Sequence, residues 1–384
     1  MKSVSILPAE NENSFPILSL GKDNFFHISF DDLRADMRSL YYSLTHCNAD
    51  WTPSRLSTID YLSGYEEDRI YNIQSSENTN TPYTNYSFTF PNENIQPKIA
   101  GNYLLKVYED GDKARLLWSR KIYVMENKTN IDIELMRSLL SQQKNTNQKL
   151  NLTINSSVEL VNPTSNLQIH TFQNQRTDNS QILKNPTQIS PHIVSYHDVK
   201  TLDFKGNNEF RRIDLRSIRS ASTNIKELNR DSSIHAVLVT DNPTAIANYS
   251  RIVDENGKFY IRNLDFEKSA TQSEYIFAYF SLKDSANIKG DIYLVGGFNN
   301  YNTSAENKMT YNPQSKTWEN VQLLKQGVYN YEYLLKDEDK ISTDRFAGSH
   351  YETENDYQIL IYYRKPGTYW DEIIGFKNYN KTKQ

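Results

Sequence analysis

A chain of 384 residues with a formal net charge of −4 is long enough for two or three domains. It carries no basic footprint, which excludes nucleic acid and an anionic membrane surface as expected partners. Its 27 Tyr, 16 Phe and 4 Trp are too many aromatics for a disordered polar chain, so core and surface are expected to lean on tyrosine. The single cysteine, Cys47, rules out an internal disulfide framework and a cysteine-rich zinc site, and no apolar run approaches the ~18 residues of a membrane-spanning helix.

The first segment opens on Met1-Lys2-Ser3-Val4, which lacks the apolar core of an export signal. If the protein is exported, its signal is expected to have been removed already. Phe26, Ile28 and Phe30 alternate with Phe25, His27 and Ser29, the period of a strand that Asp31-Asp32 closes. In Arg38–Cys47, Leu40, Tyr42, Leu44 and His46 share one face, and the polar run Asn48-Ala49-Asp50-Trp51-Thr52-Pro53 must end the ladder. Tyr86–Phe90 alternates again. Tyr103–Tyr108 and Leu116–Val124, joined through Glu109-Asp110-Gly111-Asp112, form the clearest hairpin.

Further on, Ile131/Ile133/Leu135 and Leu150/Leu152/Ile154 alternate. Leu135, Met136, Leu139 and Leu140 also suit a short helical face, but strand is favoured. Leu167–Phe172, Ile193–Tyr196, Phe210–Leu215, Ile234–Val239 and Phe259–Ile261 continue the pattern. The polar stretch between Phe172 and Ile193 is long enough to be functional or mobile. Glu274–Leu282, Ile292–Phe298, Thr317–Leu323, Val328–Leu335, Gln358–Tyr363 and Tyr369–Phe376 complete the series. The expectation is an all-β protein of three tandem immunoglobulin-like or early-set β-sandwich domains, at residues 1–126, 127–271 and 272–384.

Candidate chemistry is sparse. His46 and Cys47 are strand neighbours on opposite faces, so the imidazole is poorly placed to activate the thiol. His170, His192, His197 and Asp198 lack a metal-ligand spacing. Arg212, Asp214 and Arg216 share one face of Phe210–Arg219, a pattern that favours an ion-pair ladder over a docking face for carboxylates. Glu352, Glu354 and Asp356 imitate a glycosidase pair but sit in turn-rich sequence. The run Gly290–Tyr301 resembles the Gly-x-Phe-Asn-x-Trp turn of glycogen-binding sandwiches. Tyr301 and Trp318 would be its two sugar platforms, and a cell-envelope carbohydrate-binding protein is therefore the alternative function. No catalytic residue, metal ligand or cofactor is expected.

A second resemblance covers essentially the whole chain. His46-Cys47-Asn48-Ala49-Asp50-Trp51, then Thr81–Phe88, Gly101–Glu109, Asn207–Ser217, Gly348–Tyr357 and Tyr362–Gly367, follow in an order that resembles the plug protein family of the type IX secretion system of Bacteroidetes. That resemblance implies a non-enzymatic periplasmic protein, exported by a cleavable signal. It would dock on the giant outer-membrane translocon barrel and seal its periplasmic opening. The docking candidates are Asp50, Trp51, Tyr83, Tyr86, Arg212 and Arg216. For Trp51, a core role and a docking role both remain open.

Overall fold

The computed structural model describes residues 1–9, 15–284 and 286–381, and almost all of its regular structure is strand. The first sandwich closes a four-stranded sheet, ordered Lys2–Pro8, Phe26–Asp32, Thr84–Phe90, Asn72–Ser75, over part of a larger sheet that contains Leu40–Cys47, Gly101–Glu109 and Leu116–Met125. The expected hairpin is there, with Tyr103 opposite Ile122 and Leu105 opposite Arg120. Phe26, Ile28, Phe30, Tyr42, Leu44, Tyr103 and Ile122 turn inward, so the two-residue alternation is what fills this core.

The larger sheet has nine strands and does not stop at the first sandwich. Beyond Leu116–Met125 it continues through Glu372–Asn380, Asp356–Tyr363, Leu167–Gln173 and Ser180–Leu183. The crossing is made by Met125 opposite Ile373, with Glu126 N donating to the Ile373 carbonyl at 3.0 Å and Lys128 N to the Ile374 carbonyl at 2.8 Å. The far half of this sheet packs on a five-stranded sheet built around Thr129–Arg137, Asn147–Ser156 and Ile193–Tyr196. Ile131, Leu152 and Ile154 meet Ile169, Ile359, Ile361 and Ile374 in the second core.

The third sandwich pairs a sheet centred on Gly327–Asp337 with one ordered Ile225–Arg230, Ile234–Leu238, Tyr275–Leu282, Thr317–Lys325, Thr310–Asn312. This corrects the expected division at 271/272 in two ways. Ile234–Leu238 lies beside Tyr275–Leu282 in one sheet, so that boundary would cut a sandwich in half. The strands Asp356–Tyr363 and Glu372–Asn380, assigned from sequence to the third domain, pair instead with Leu167–Gln173 and belong to the second. The third sandwich is thus inserted within the second, leaving it after Lys205 and returning before Asp356. Hydrophobic period identifies strands but holds no information on which distant strand each one pairs with.

Candidate functional site

Three sandwiches in one body create three seams, and Trp51, Tyr83 and Tyr301, singled out from sequence, each lie in one of them. Trp51 stands in the turn that ends Leu40–Cys47. Its φ of +68° is costly for a bulky residue, on the order of 1–3 kcal/mol, and must be held by its surroundings. Its N–H donates to the Asn48 carbonyl at 2.9 Å, its ring meets Tyr123 edge-on at 5.4 Å, and Lys121 Nζ sits 4.7 Å above it. The cluster it joins contains Phe15, Tyr123, Phe172, Leu360, Tyr362 and Ile373, so the indole packs where the first sandwich meets the second. The same seam carries polar ties. Ala49 N donates to Asp371, whose carboxylate takes two bonds from Arg364, and Tyr362 Oη donates to Asn102, which in turn donates to the Asn48 carbonyl. Asp50 is exposed, and the hydroxyl and N–H of Thr52 hold its carboxyl below the usual range.

Tyr83 and Tyr86 are not surface residues, which corrects the expectation that their side chains form a docking loop. Tyr86 is fully buried, stacked on Phe30 at 5.4 Å, and its hydroxyl accepts the Arg38 N–H. Tyr83 is buried against the third sandwich. It donates to the carbonyls of Ala270 and Ser273 at 3.1 and 3.0 Å and packs edge-on against Tyr275. Lys325 Nζ lies 4.2 Å above its ring and 2.7 Å from Asp31 Oδ2, with both charged side chains at 2% exposure or less. Asp31 also accepts from Tyr275 Oη at 2.7 Å and Asn85 Nδ2 at 2.8 Å, so this buried ion pair is well satisfied. Burial lowers the Lys325 pKa against the pull of Asp31. Beside it, Glu274 accepts the N–H groups of Asn80 and Thr81.

The seam between the second and third sandwiches is organised by Arg176, a residue of the long polar stretch. Its side chain is 1% exposed, pairs with Glu332 and Asp178, and covers the ring of Tyr301 at 4.3 Å. Tyr301 donates to the Gly257 carbonyl at 3.1 Å and is itself buried. It cannot present a face to a sugar, which removes one of the two platforms of the carbohydrate reading. Trp318 lies half-buried against Tyr311 at 5.4 Å. Arg216 binds Asp214 through Nε and Nη2, and Arg212 approaches the same carboxylate at 3.7 Å, with its own side chain 39% exposed. Burial alone would raise the Asp214 carboxyl, but the bonds from Arg216 bring it below the usual range.

The remaining candidates are dispersed. His46 is buried edge-on against Tyr103 with its pKa pushed down to about 4 by burial, while burial raises the Cys47 thiol, the reverse of what a nucleophile needs. His192 and His197 engage the Ser156 carbonyl and the Thr153 hydroxyl, and Asp198 caps the N–H groups of Lys200 and Thr201. Glu352, Glu354 and Asp356 pair with three different bases, Arg137, Arg251 and Lys258. Among the described residues no group of three or more His, Cys, Asp or Glu gathers to hold a metal ion, and no helix is long and apolar enough to cross a membrane. Sequence reasoning passed over Asp31, Lys325, Arg176 and Asp371. The one signal it had was a lysine closing the apolar run Leu323-Leu324-Lys325.

Fused sandwiches with buried, charge-tied seams define a rigid β-sandwich scaffold. The chain belongs to the type IX secretion plug family: residues 1–126 match the family model of the type 9 secretion system plug protein, 1st domain. Over its whole length the chain is also similar to a hypothetical protein from Parabacteroides merdae, whose crystal structure is solved at 2.30 Å resolution. The two are 30% identical, with a TM-score of 0.95, over 99% of this chain and 97% of that one. No curated protein matches. Family membership gives the chain a plug role associated with type IX secretion and a partner in the secretion apparatus, and it points to a structural rather than a catalytic role.

Proposed function

We propose that this chain is the periplasmic plug that docks on the outer-membrane translocon barrel of the type IX secretion system and closes its periplasmic opening. The observation that carries the reading is the locking of three sandwiches into one body. A stopper must be wide and must not fold away under load, and each seam here holds buried charged or polar ties, namely Lys325 to Asp31, Arg176 to Glu332, and Ala49 to Asp371. Of the docking residues proposed from sequence, Asp50 and Arg212 keep exposed side chains and remain proposed contacts. Tyr83 and Tyr86 act inside the body. Polar and aromatic contacts at a rim suit an interface whose dissociation stays fast enough for secretion to proceed.

The test is conductance of the purified barrel in a planar bilayer, with this protein added on the periplasmic side. Closure of the large pore, reversed when the protein is washed out, is the expected result. An open pore at saturating protein overturns the docking reading, as does failure to recover the barrel from outer-membrane extract with this chain as tagged bait.

A further inference from the structure

Where the three sandwiches meet, they leave a cleft of about 260 Å³ lined by Val4–Leu7 and Arg120 of the first, Gln175 of the second, and Lys258–Ile261 with Phe298 of the third. A second cavity of about 260 Å³ adjoins it and shares Val4, Arg120, Phe259, Phe298 and Asn300. Two features of this cleft are unused by the fold.

The first is backbone. Lys2–Pro8 is the outermost strand of its sheet and pairs, among the described residues, only with Phe26–Asp32. Phe259–Ile261 is likewise an outer strand, paired among the described residues only with Gly327–Asp337. Each edge strand has one row of N–H and C=O groups without a ladder partner, which is the template that strand addition uses. The irregularity in Lys2–Pro8 falls between Lys2 and Ser5, so Ser5–Leu7, which line the cleft, stand in regular register.

The second is charge. Arg120 belongs to the row Trp118, Arg120, Ile122, Val124, whose other members are buried in the first core. It is a cation at an inward position, and it emerges where the edge strand leaves the sandwich open. Among the described residues its side chain makes one hydrogen bond, from Nη1 to the Ser119 carbonyl at 3.0 Å, and no carboxylate pairs with it. Burial lowers its pKa, and no described charge raises it. The other buried cations of the seams are all paired, Lys325 with Asp31 and Arg176 with Glu332 and Asp178. Lys258 in the cleft is held by Asp356 at 3.3 Å, and Glu306, the acid among the residues that line the adjoining cavity, forms no ion pair with Arg120. A half-buried guanidinium with five donors and one bond is matched by a carboxylate, which it grips with two parallel bonds.

We propose that this cleft is a recognition site for an extended protein segment bearing an acidic side chain, which adds as a strand along Ser5–Leu7 and pairs its carboxylate with Arg120. The apolar walls, Ile6, Phe259 and Phe298, take the flanking side chains, and the volume suits a short segment rather than a folded domain. The site does not depend on the plug reading, because its chemistry resides in this chain alone.

The test uses the full chain and immobilised pools of N-acetylated pentapeptides with β-forming flanks and either Glu or Gln fixed at the centre. Glu pools are expected to be retained about tenfold better than Gln pools. Arg120→Gln should erase the preference, and Arg120→Lys, which keeps charge but not the fork, should keep part of it. In the wild type, a retained peptide should slow amide exchange at residues 4–7. Equal retention of Glu and Gln pools overturns the proposal. So does a preference that survives Arg120→Gln, or protection that appears only elsewhere. The exchange measurement stands even if Arg120→Gln folds poorly, since it needs no variant.

Discussion

Lys325→Met removes the cation of the buried pair with Asp31 and leaves the carboxylate in place. At 2.7 Å and an effective dielectric near 20 the gross attraction is about 6 kcal/mol, most of it offset by desolvation of the two ions. What the substitution exposes is the uncompensated Asp31, which costs about 3–5 kcal/mol at buried sites. Tyr275 Oη and Asn85 Nδ2 still donate to it, so the lower end of that range is expected. Tyr83 also loses the ammonium over its ring. Urea unfolding followed by tryptophan fluorescence is the assay, because Trp118 lies in the first core and Trp318 packs against the third. The wild type is expected to unfold in one transition, and Lys325→Met in two, as the first and third sandwiches uncouple. Adding Asp31→Asn removes the stranded charge and should recover at least about 2 kcal/mol relative to the sum of the single costs. A cost below about 1 kcal/mol for Lys325→Met, or strict additivity in the double variant, would refute the claim that this pair locks the seam.

Other consequences are as direct. His46 and His170 are both held near pKa 4 by burial, below an unfolded value near 6.5, so the unfolded chain binds more protons between those limits. Stability should therefore fall as pH drops from 6.5 toward 4, by up to about 3 kcal/mol per histidine, and a flat urea midpoint over that window contradicts neutral buried imidazoles. Gly101 has φ +150°, and a Cβ there would lie 2.3 Å from His46 Nε2, so Gly101→Ala should cost about 2–4 kcal/mol in the same assay. Tyr83→Phe takes the donor from the buried Ser273 carbonyl, while the Ala270 carbonyl keeps its bond from Lys325 Nζ, and should cost about 1–2 kcal/mol, with an unchanged melting point as the contrary result. Trp51→Ala strips a half-buried ring from Tyr123 while keeping the strained turn. A loss of about 2 kcal/mol marks a seam residue, whereas lost barrel binding at full stability would mark a docking one.

Strands were legible wherever a single face is buried. Leu40, Tyr42, Leu44 and His46 turn inward because alternation is a local property, and the Gly101–Glu109 hairpin declares itself through its turn. Pairing was not legible. Leu167–Gln173 and Asp356–Tyr363 are neighbours although almost two hundred residues separate them, and both read as ordinary strands. The seams were hidden for a related reason. Tyr83 looks like a loop aromatic until Tyr275 and Lys325 are brought over it, and Asp31 looks like a strand-closing turn residue until the same fold supplies its cation. Arg176 sits in a polar stretch that composition marks as loop, yet it is among the largest fully buried side chains. Buried charge in this chain is a tertiary fact, since each partner is polar and unremarked on its own strand.

The insertion of the third sandwich explains why rigid seams are attainable at all. Domains strung on single linkers hinge by default, because one flexible connection leaves orientation free unless a large interface restrains it. Here the chain leaves the second sandwich after Lys205 and re-enters it at Asp356, so two connections hold the third in place. Arg176 and Lys258 then fix its rotation against Glu332 and Asp356. The first sandwich is held differently, by a sheet that runs unbroken from Leu116–Met125 into Glu372–Asn380, and it touches the third through Asp31 and Lys325. Each sandwich is therefore restrained by both of the others, a closed triangle in which opening one seam strains the remaining two. A body built in this way transmits a push on any rim to all three sandwiches together, which is the mechanical property that sealing and withdrawing as one piece requires.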